Sequence, residues 1–200
     1  QKKFLKEVLF TIIKDFNSKN KKRNHECQIF LIMGNDDFAD NVEFLKENQG
    51  NIGFHLVNNN LIKLHEDFKI FGYPFVPLTP FKFKDWEKLD LDIEKEDKYR
   101  EFTNKGIKSR DGKFDETKID LNKRLKTIEK DLKKLDKVDM NKLVFVTHSP
   151  PYGTNLDMLS NGDHVGSKAI KKFIDIKEPI ISLHGHIHET VDVSGDFKDR

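Results

Sequence analysis

One stretch near the end of the chain, Ile180-Ile181-Ser182-Leu183-His184-Gly185-His186-Ile187-His188, joins a short apolar run to three histidines. An apolar run that directly follows a proline predicts a buried strand. Neutral imidazoles are good ligands for zinc, iron, manganese or nickel. If the chain stays extended, His186 and His188 lie on one side and reach one metal ion or two neighbouring ions. The alternative is a surface loop in which the histidines occur by coincidence.

Two earlier apolar runs also end in polar side chains. Leu143–Thr147 predicts a second buried strand and is followed by His148-Ser149-Pro150-Pro151, whose prolines stop strand pairing and stiffen the turn. Residues 28–33 predict a third strand, which is followed by Gly34-Asn35-Asp36-Asp37. Taken singly, each of these ends has a structural explanation. His148 can be a structural histidine, and Gly34-Asn35-Asp36-Asp37 can be a Gly-Asn turn followed by an Asp that caps a helix. Taken together, three strand ends with nitrogen and oxygen donors predict a metal-binding hydrolase site.

The rest of the chain alternates helical and strand patterns. Helices are predicted over residues 3–17, 41–48 and 167–176, and small antiparallel strands over residues 54–71. A leucine-rich stripe predicts a long charged helix over residues 116–137, and the alternation of Val191 with Val193 predicts an exposed strand. Short apolar strands separated by helices indicate an α/β domain, whose ligand site lies at the carboxyl ends of the strands.

Composition narrows the class of protein. The 200 residues fit a single domain over 1–200, with a charged insertion at about 81–140. The net charge of +2, with both signs interspersed, gives no strong nucleic-acid signal. Cys27 is the single cysteine, which excludes an internal disulfide and suits a reducing compartment. No stretch approaches the roughly 20 apolar residues of a membrane helix, so we expect a cytoplasmic protein without a membrane partner. The sequence does not indicate an oligomeric state.

The three strand ends resemble the motifs of the calcineurin-like metallophosphoesterases. That family carries, in order, Asp-x-His, Gly-Asp-x-x, Gly-Asn-His-Asp/Glu, a lone His after a strand, and Gly-His-x-His. In this chain the last three are matched by Gly34-Asn35-Asp36-Asp37, His148 and Gly185-His186-Ile187-His188. The resemblance spans roughly residues 4–193. In addition, Thr79-Pro80-Phe81 and Lys84-Asp85-Trp86-Glu87 look like an uncharacterised, largely prokaryotic subgroup.

The resemblance implies a four-layer αββα sandwich with a site for two divalent metal ions. By analogy with the family, Asn35, His148 and His186 hold one ion and His188 holds the other, and manganese, iron or zinc suits these donors. A hydroxide bridging the ions would attack phosphorus in line. The implied function is hydrolysis of a phosphomonoester or phosphodiester, with a phosphate-ester small molecule or a nucleotide as the partner.

Two departures from the family pattern carry expectations of their own. Asp-x-His and Gly-Asp-x-x are absent before Gly34, so we expect a chain truncated at its N-terminus, and its end at Arg200 also comes early. The alternative is a catalytically degenerate fold that serves as a protein-interaction scaffold, with the predicted helix over residues 116–137 as its partner surface.

The second departure is Asp36, which stands where the family has a histidine that protonates the leaving group. Asp36 is the candidate catalytic residue, but a carboxylate beside two cations has a lowered pKa and is a poor acid. We therefore expect a substrate with a good leaving group, or proton delivery by water. His164, in the loop after the second strand, either contacts the substrate phosphate or is a plain loop histidine.

Overall fold

The computed structural model describes residues 1–25, 27–91, 105–119 and 127–199. The helices are α1 (Lys2–Phe4), α2 (Phe10–Lys22), α3 (Val42–Ile52), α4 (Ile128–Leu132), α5 (Lys168–Lys177) and α6 (Thr190–Ser194). A π-helical stretch (Leu5–Leu9) joins α1 to α2, and 3₁₀ turns occur at Ala39–Asn41, Lys133–Leu135 and Met140–Lys142. The strands are β1 (Phe30–Leu31), β2 (His55–Leu56), β3 (Asn60–His65), β4 (Phe68–Tyr73), β5 (Lys105–Arg110), β6 (Lys113–Lys118), β7 (Leu143–Thr147) and β8 (Ile181–His184).

The largest sheet has the strand order β3-β4-β7-β8. Strands β3 and β4 are antiparallel, whereas β4, β7 and β8 run parallel to one another. In register, Thr147 lies between Tyr73 of β4 and His184 of β8. The carboxyl ends of these three strands therefore meet at one edge of the sheet, which is where an α/β fold places its ligand site.

A second, smaller sheet consists of β1 and β2, which pair in parallel. The prediction of antiparallel strands over residues 54–71 is confirmed for β3 and β4 but wrong for β2. Asn59 takes a left-handed backbone conformation (φ 54°), and the bridge between Asn58 and Gly72 joins the end of β2 to β4. The segment Asn58-Asn59-Asn60 thus connects the two sheets and does not close a hairpin between β2 and β3.

Two apolar clusters form the core, and each combines one sheet with its own helices. The first joins β4 and β7 to α4 and α5, with its buried centre at Phe71, Tyr73, Ile128, Leu132, Leu135, Leu143, Phe145, Ala169, Ile170 and Phe173. The second joins β1 and β2 to the N-terminal helices and α3, with its buried members at Leu5, Phe10, Ile13, Met33, Leu45, Ile52, Phe54, Leu56 and Trp86. The predicted α/β class is confirmed, and the pairing of helices with sheets is the one that a layered sandwich requires.

The N-terminal helix buries less than its sequence predicts. Its core side is formed by Leu5, Phe10 and Ile13, whereas Val8 and Ile12 are exposed. The apolar residues recur so densely that they occupy two faces of the helix, and only one of these faces packs against β1 and β2. Among the described residues, no helix is long and apolar enough to cross a membrane.

The predicted helix over residues 116–137 is wrong. Its start belongs to β6, which pairs with β5 in an antiparallel hairpin. Helix α4 begins only after Thr127, whose hydroxyl accepts the N–H of Lys130 as an N-cap. Residues 120–126, including Leu121 and Leu125 of the predicted stripe, lie outside the described residues. The leucine spacing was compatible with a helix, but residues 116–118 pair in β6 and the Thr127 cap starts a separate short helix.

The predicted strand around Val191 and Val193 is also wrong, because these residues lie in α6. The Ser194 hydroxyl bonds back to the carbonyl of Thr190, and Gly195 ends the helix in a left-handed conformation (φ 76°). Two alternating valines are too short a pattern to distinguish a strand from one helical turn.

Thr79 and residues 84–87, which match the subgroup pattern, fix the β5–β6 hairpin to the domain. The Lys84 ammonium and the Glu87 carboxylate are both fully buried and form an ion pair at 2.7 Å. Lys84 also donates to the Thr79 carbonyl at 2.7 Å, and its backbone N–H donates to the carbonyl of Ile107 in β5 at 2.9 Å. Burial raises the pKa of Glu87, and the bonds from Lys84 and Thr79 act in the opposite direction.

Candidate functional site

The loops that follow three strands converge at the carboxyl edge of the sheets. His148 continues β7 by one residue, and its backbone N–H donates to the Tyr73 carbonyl at 2.9 Å. Gly185, the residue after β8, donates its N–H to the His148 carbonyl at 3.1 Å. These ladder bonds hold the turns after β7 and β8 side by side, because parallel neighbours in register end together.

The centre of the site is the side-chain oxygen of Asn35. Oδ1 of Asn35 lies 2.8 Å from Nε2 of His148 and 2.9 Å from Nδ1 of His186. The two imidazole rings meet edge to face, with centroids 5.0 Å apart. Asn35 itself is only 8% exposed. We call these three residues the Asn35 cluster.

The loop that carries Asn35 is held tightly from both sides. The Asp37 carboxylate accepts the N–H of Gly34 at 2.9 Å, and the Trp86 indole N–H donates to the Asp37 carbonyl at 2.7 Å. A side chain at Gly34 would place its Cβ 2.7 Å from Cε1 of His148. A glycine is therefore required there for His148 to reach Asn35. Burial raises the pKa of Asp37, and the bond from Gly34 acts against this shift.

Both histidines of the Asn35 cluster are held in the neutral form. Burial, followed by the nearby charges of His186 and His188, lowers the pKa of His148 to about 4. Burial is also the largest cause of the lowered pKa of His186, although the charge of Asp36 raises it in part. A neutral imidazole keeps one ring nitrogen unprotonated, which is the form that can bind a metal ion.

Asp36 and His188 lie at the edge of this cluster and are not part of it. Both are exposed. Oδ1 of Asp36 accepts from Nδ2 of Asn35 at 3.2 Å, which turns the Asn35 oxygen towards the histidines. No described residue hydrogen-bonds the imidazole of His188. The segment does not stay extended, because His186 has φ 76° and the N–H of Ile187 donates to the Gly185 carbonyl at 3.0 Å.

The donor atoms of the Asn35 cluster are of the kind that divalent ions bind. Among the described residues, no three His, Cys, Asp or Glu side chains group closely enough to hold a metal, so the convergent donors are two histidines and an amide oxygen. With bonds of about 2.1 Å, neighbouring ligand atoms of an octahedral ion lie about 3 Å apart. The separations of 2.8 and 2.9 Å between the Asn35 oxygen and the two ring nitrogens are close to that value.

His184, the first of the three clustered histidines, has a supporting position. The Thr147 hydroxyl donates to the Ser149 carbonyl at 2.6 Å and therefore accepts from Nδ1 of His184, 2.7 Å away. Nε2 of His184 then accepts from the Ser182 hydroxyl at 3.0 Å. Burial lowers the pKa of His184 to about 4, against a weaker effect of its bond with Ser149. This chain of bonds fixes the turn that starts at His148.

A second arrangement of polar groups lies in the loop of residues 152–166, which we call the Asp157 loop. Asp157 is fully buried, and its carboxylate accepts backbone N–H groups from Gly153, Thr154 and Gly166 at 2.9 to 3.0 Å. The same carboxylate lies 2.7 Å from Nδ1 of His164. One side chain thus fixes both ends of the loop. Asp157 was not predicted from the sequence, although the glycines and the threonine around it are typical of a loop closed by a carboxylate.

Comparison with known proteins gives one family match. A family model described as calcineurin-like phosphoesterase matches residues 8–190. The chain belongs to the calcineurin-like phosphoesterase family. The resemblance drawn from the motifs is thereby confirmed, and so is the α/β metallophosphoesterase fold. Members of this family are generally metal-dependent phosphoesterases.

One solved crystal structure has a similar fold, with a TM-score of 0.51 and 14% sequence identity. The similarity covers 92% of this chain and 59% of the other, so this chain spans about three fifths of that protein's length. No curated protein matches the chain.

The β5–β6 hairpin docks beside the loop that carries Asn35. The Asp85 carboxylate accepts the N–H of Ala39 and the N–H of Ser109, both at 2.9 Å. The Asp40 carboxylate accepts the N–H groups of Asp111 and Gly112 at the hairpin turn. The part of the predicted insertion that the structure describes is therefore attached to the loop that carries Asn35.

Proposed function

We propose that the protein is a divalent-metal-dependent phosphoesterase that hydrolyses a phosphomonoester or a phosphodiester. The observation that supports this most directly is the Asn35 oxygen, to which two neutral histidines converge within 2.9 Å. Donors of this kind suit manganese, iron or zinc. The proposed substrate is a phosphate-ester small molecule or a nucleotide.

The residues that would hold a metal are Asn35, His148 and His186 for one ion, with His188 for a second. A divalent ion bound there supplies an activated water molecule and stabilises the charge that develops on the phosphoryl group. Asp36 orients the Asn35 amide through the bond at 3.2 Å and keeps an exposed carboxylate at the edge of the site. We propose Asp36 as the catalytic residue that accepts hydrogen bonds from water or substrate at this edge.

This proposal is tested on the gene product that contains residues 1–200. Its metal content after incubation with Mn²⁺ is measured by elemental analysis, and turnover is followed with p-nitrophenyl phosphate and bis(p-nitrophenyl) phosphate. Asn35→Ala removes the shared oxygen, so we expect its Mn²⁺ affinity to fall by at least about tenfold and turnover by at least about a hundredfold. The control is Asn51→Ala, at an exposed position of α3, which should keep both.

Two results would contradict the phosphoesterase proposal. One is a gene product that binds no metal and turns over neither ester. The other is Asn35→Ala with unchanged metal affinity, which would remove the Asn35 cluster from the metal site.

The second candidate function is a noncatalytic scaffold for protein interaction. Its expected surface, a helix over residues 116–137, does not form, but the N-terminal helix carries exposed apolar side chains at every fourth position, from Phe4 through Val8 and Ile12 to Phe16. Such a stripe favours contact with another apolar surface. Stoichiometric metal with turnover supports the enzyme, whereas a folded gene product without metal or turnover supports the scaffold.

A further inference from the structure

His164 is bound to a buried carboxylate that fixes its orientation. Nδ1 of His164 lies 2.7 Å from Oδ1 of Asp157, whose side chain has no solvent exposure. The Asp157 carboxylate also accepts hydrogen bonds from three backbone N–H groups. These bonds fix its position independently of His164. The carboxylate accepts Nδ1–H, which leaves Nε2 as the free nitrogen of the imidazole. The His164 side chain is 32% exposed, so the imidazole is partly accessible to solvent.

The Asp157 loop lies between the two turns that carry the histidines of the Asn35 cluster. On one side, a Cβ at Gly166 would lie 2.6 Å from the Pro150 carbonyl oxygen and 2.9 Å from the Asp157 carboxylate. The loop is therefore in close contact with the turn that begins at His148. On the other side, the Thr190 hydroxyl donates to the Asn155 carbonyl at 2.9 Å, two residues after His188.

His164 itself is connected to the second of these contacts. Its backbone bridges to Met158, whose N–H bonds the Thr190 hydroxyl at 3.2 Å. The ring of Tyr152 meets the imidazole edge to face at 6.0 Å, and the Lys168 ammonium lies 5.0 Å from the Tyr152 ring. A histidine, a phenol and an ammonium thus lie near one another in this part of the chain, and the Asp157 carboxylate lies behind the histidine.

The Asn35 cluster does not include a proton donor for the leaving group. Both of its histidines point a ring nitrogen at the Asn35 oxygen, and Asp36 is a carboxylate, which accepts hydrogen bonds and does not donate them. Alkyl esters of phosphate need such a donor, because an alkoxide is a poor leaving group until it is protonated.

We propose that His164, held by Asp157, binds the leaving-group oxygen of the phosphate ester and protonates it. This inference rests on the proposed phosphoesterase function. In the step, the oxygen of water forms a bond to phosphorus while the bond from phosphorus to the ester oxygen breaks. The Nε2 proton of the His164 imidazolium passes to that ester oxygen and yields a neutral alcohol. The attacking water loses its proton to solvent, and His164 regains one from solvent. Asp157 is a positioning residue in this scheme.

The test compares two esters that differ in their need for a proton. p-Nitrophenolate is a stable anion and leaves unprotonated, whereas an alkyl phosphate must have its leaving oxygen protonated. In the gene product with Mn²⁺, His164→Gln and His164→Ala should lower kcat for the alkyl ester by at least about a hundredfold, as loss of general acid catalysis does. Turnover of p-nitrophenyl phosphate should fall much less than turnover of the alkyl ester, because p-nitrophenolate leaves without a proton. His65→Gln, at an exposed position of β3, is the matched control and should change neither rate.

The outcomes separate this inference from the phosphoesterase proposal. Alkyl-ester turnover that survives in either His164 variant overturns the role of His164, while the wild-type activity upholds the phosphoesterase. Equal losses on both esters also overturn it, because a proton donor acts selectively on the poor leaving group. A wild-type protein that hydrolyses neither ester overturns both proposals. Metal content and circular dichroism of each variant, unchanged from the wild type, show that the comparison is made on folded, loaded protein.

Discussion

The Asn35 cluster and the Asp157 loop lie at the same edge of the molecule, but their histidines are placed by different means. His148 follows β7 and is positioned by backbone bonds to the neighbouring strands, before any side chain contributes. His164 has no strand to position it and depends on the carboxylate of Asp157. The first histidine takes its position from the sheet, and the second takes its position from one buried side chain.

This difference sets how each region should respond to substitution. Backbone pairing survives most side-chain changes, so the strand ends should keep their geometry when a cluster residue is replaced. The Asp157 loop has no backbone pairing of this kind, because three N–H groups and one imidazole all depend on the Asp157 carboxylate as their acceptor. Three experiments test the contrast, from the largest expected effect to the smallest.

The first is Asp157→Ala, which leaves several loop donors without a partner. Each buried donor that loses its acceptor costs about 1–3 kcal/mol, and part of this is recovered from water, so we expect the free energy of unfolding to fall by about 4 kcal/mol. Urea denaturation measures it. Asp163→Ala, an exposed aspartate of the same loop, should change stability by less than about 0.5 kcal/mol. Similar losses in the two variants would show that the buried carboxylate does not hold the loop.

The second experiment acidifies the strand ends. The pKa of His184 is lowered by burial from 6.5 to about 4. Between these pH values His184 is protonated in the unfolded chain but not in the folded chain. The free energy of unfolding therefore decreases as the pH falls from about 6.5 to about 4. One pKa unit corresponds to about 1.4 kcal/mol, so His184 contributes a loss of up to about 3 kcal/mol over this range. Urea denaturation in EDTA at several pH values follows it.

The control for acidification removes the titrating group. In His184→Asn the loss of stability between pH 6.5 and pH 4 should become smaller, because this position no longer titrates. His55→Asn, at an exposed position of β2, should keep the wild-type dependence. An unchanged slope in His184→Asn would mean that this histidine is not held neutral by the fold.

The third experiment is Tyr152→Leu, which removes the ring that contacts His164 and Lys168. Edge-to-face and cation–aromatic contacts contribute about 1 kcal/mol, so we expect a loss of about that size in urea denaturation. The matched control is Phe197→Leu, an exposed aromatic ring with Lys198 above it, which should lose less than about 0.5 kcal/mol. Equal effects would show that Tyr152 is a surface ring without a role in the loop.

Much of the fold could be predicted from sequence wherever pattern and capping agree. The predicted bounds of β7 match the structure, and α5 differs by one residue at each end, because a buried run and a Ser167 N-cap mark them. The prediction of a helix over residues 116–137 was wrong, because the regular spacing of leucines does not reveal the strand and the N-cap that interrupt it. The pairing of β2 with β1 depends on contacts between residues about 25 positions apart, which no local pattern encodes.

The candidate site divides in the same way. Asn35, His148 and His186 could be grouped beforehand, because the carboxyl ends of parallel strands meet. Their convergence on one oxygen depends on the left-handed backbone conformation of His186. A non-glycine residue rarely adopts this conformation, so it could not be predicted from the sequence. His164 was considered from the sequence, but its bond to Asp157 could not be predicted, because the two residues lie seven positions apart in an irregular loop. The assignment of metal ligands stays a prediction.

The Asn35 oxygen meets partners that lie 113 and 151 positions further along the chain. On the ribosome, the Gly34 loop is therefore made long before either histidine exists. His186 completes the pair only when almost all of this chain has been synthesised. A nascent chain thus has no assembled donor set, and the metal binding that we propose requires the last parallel strand to have folded.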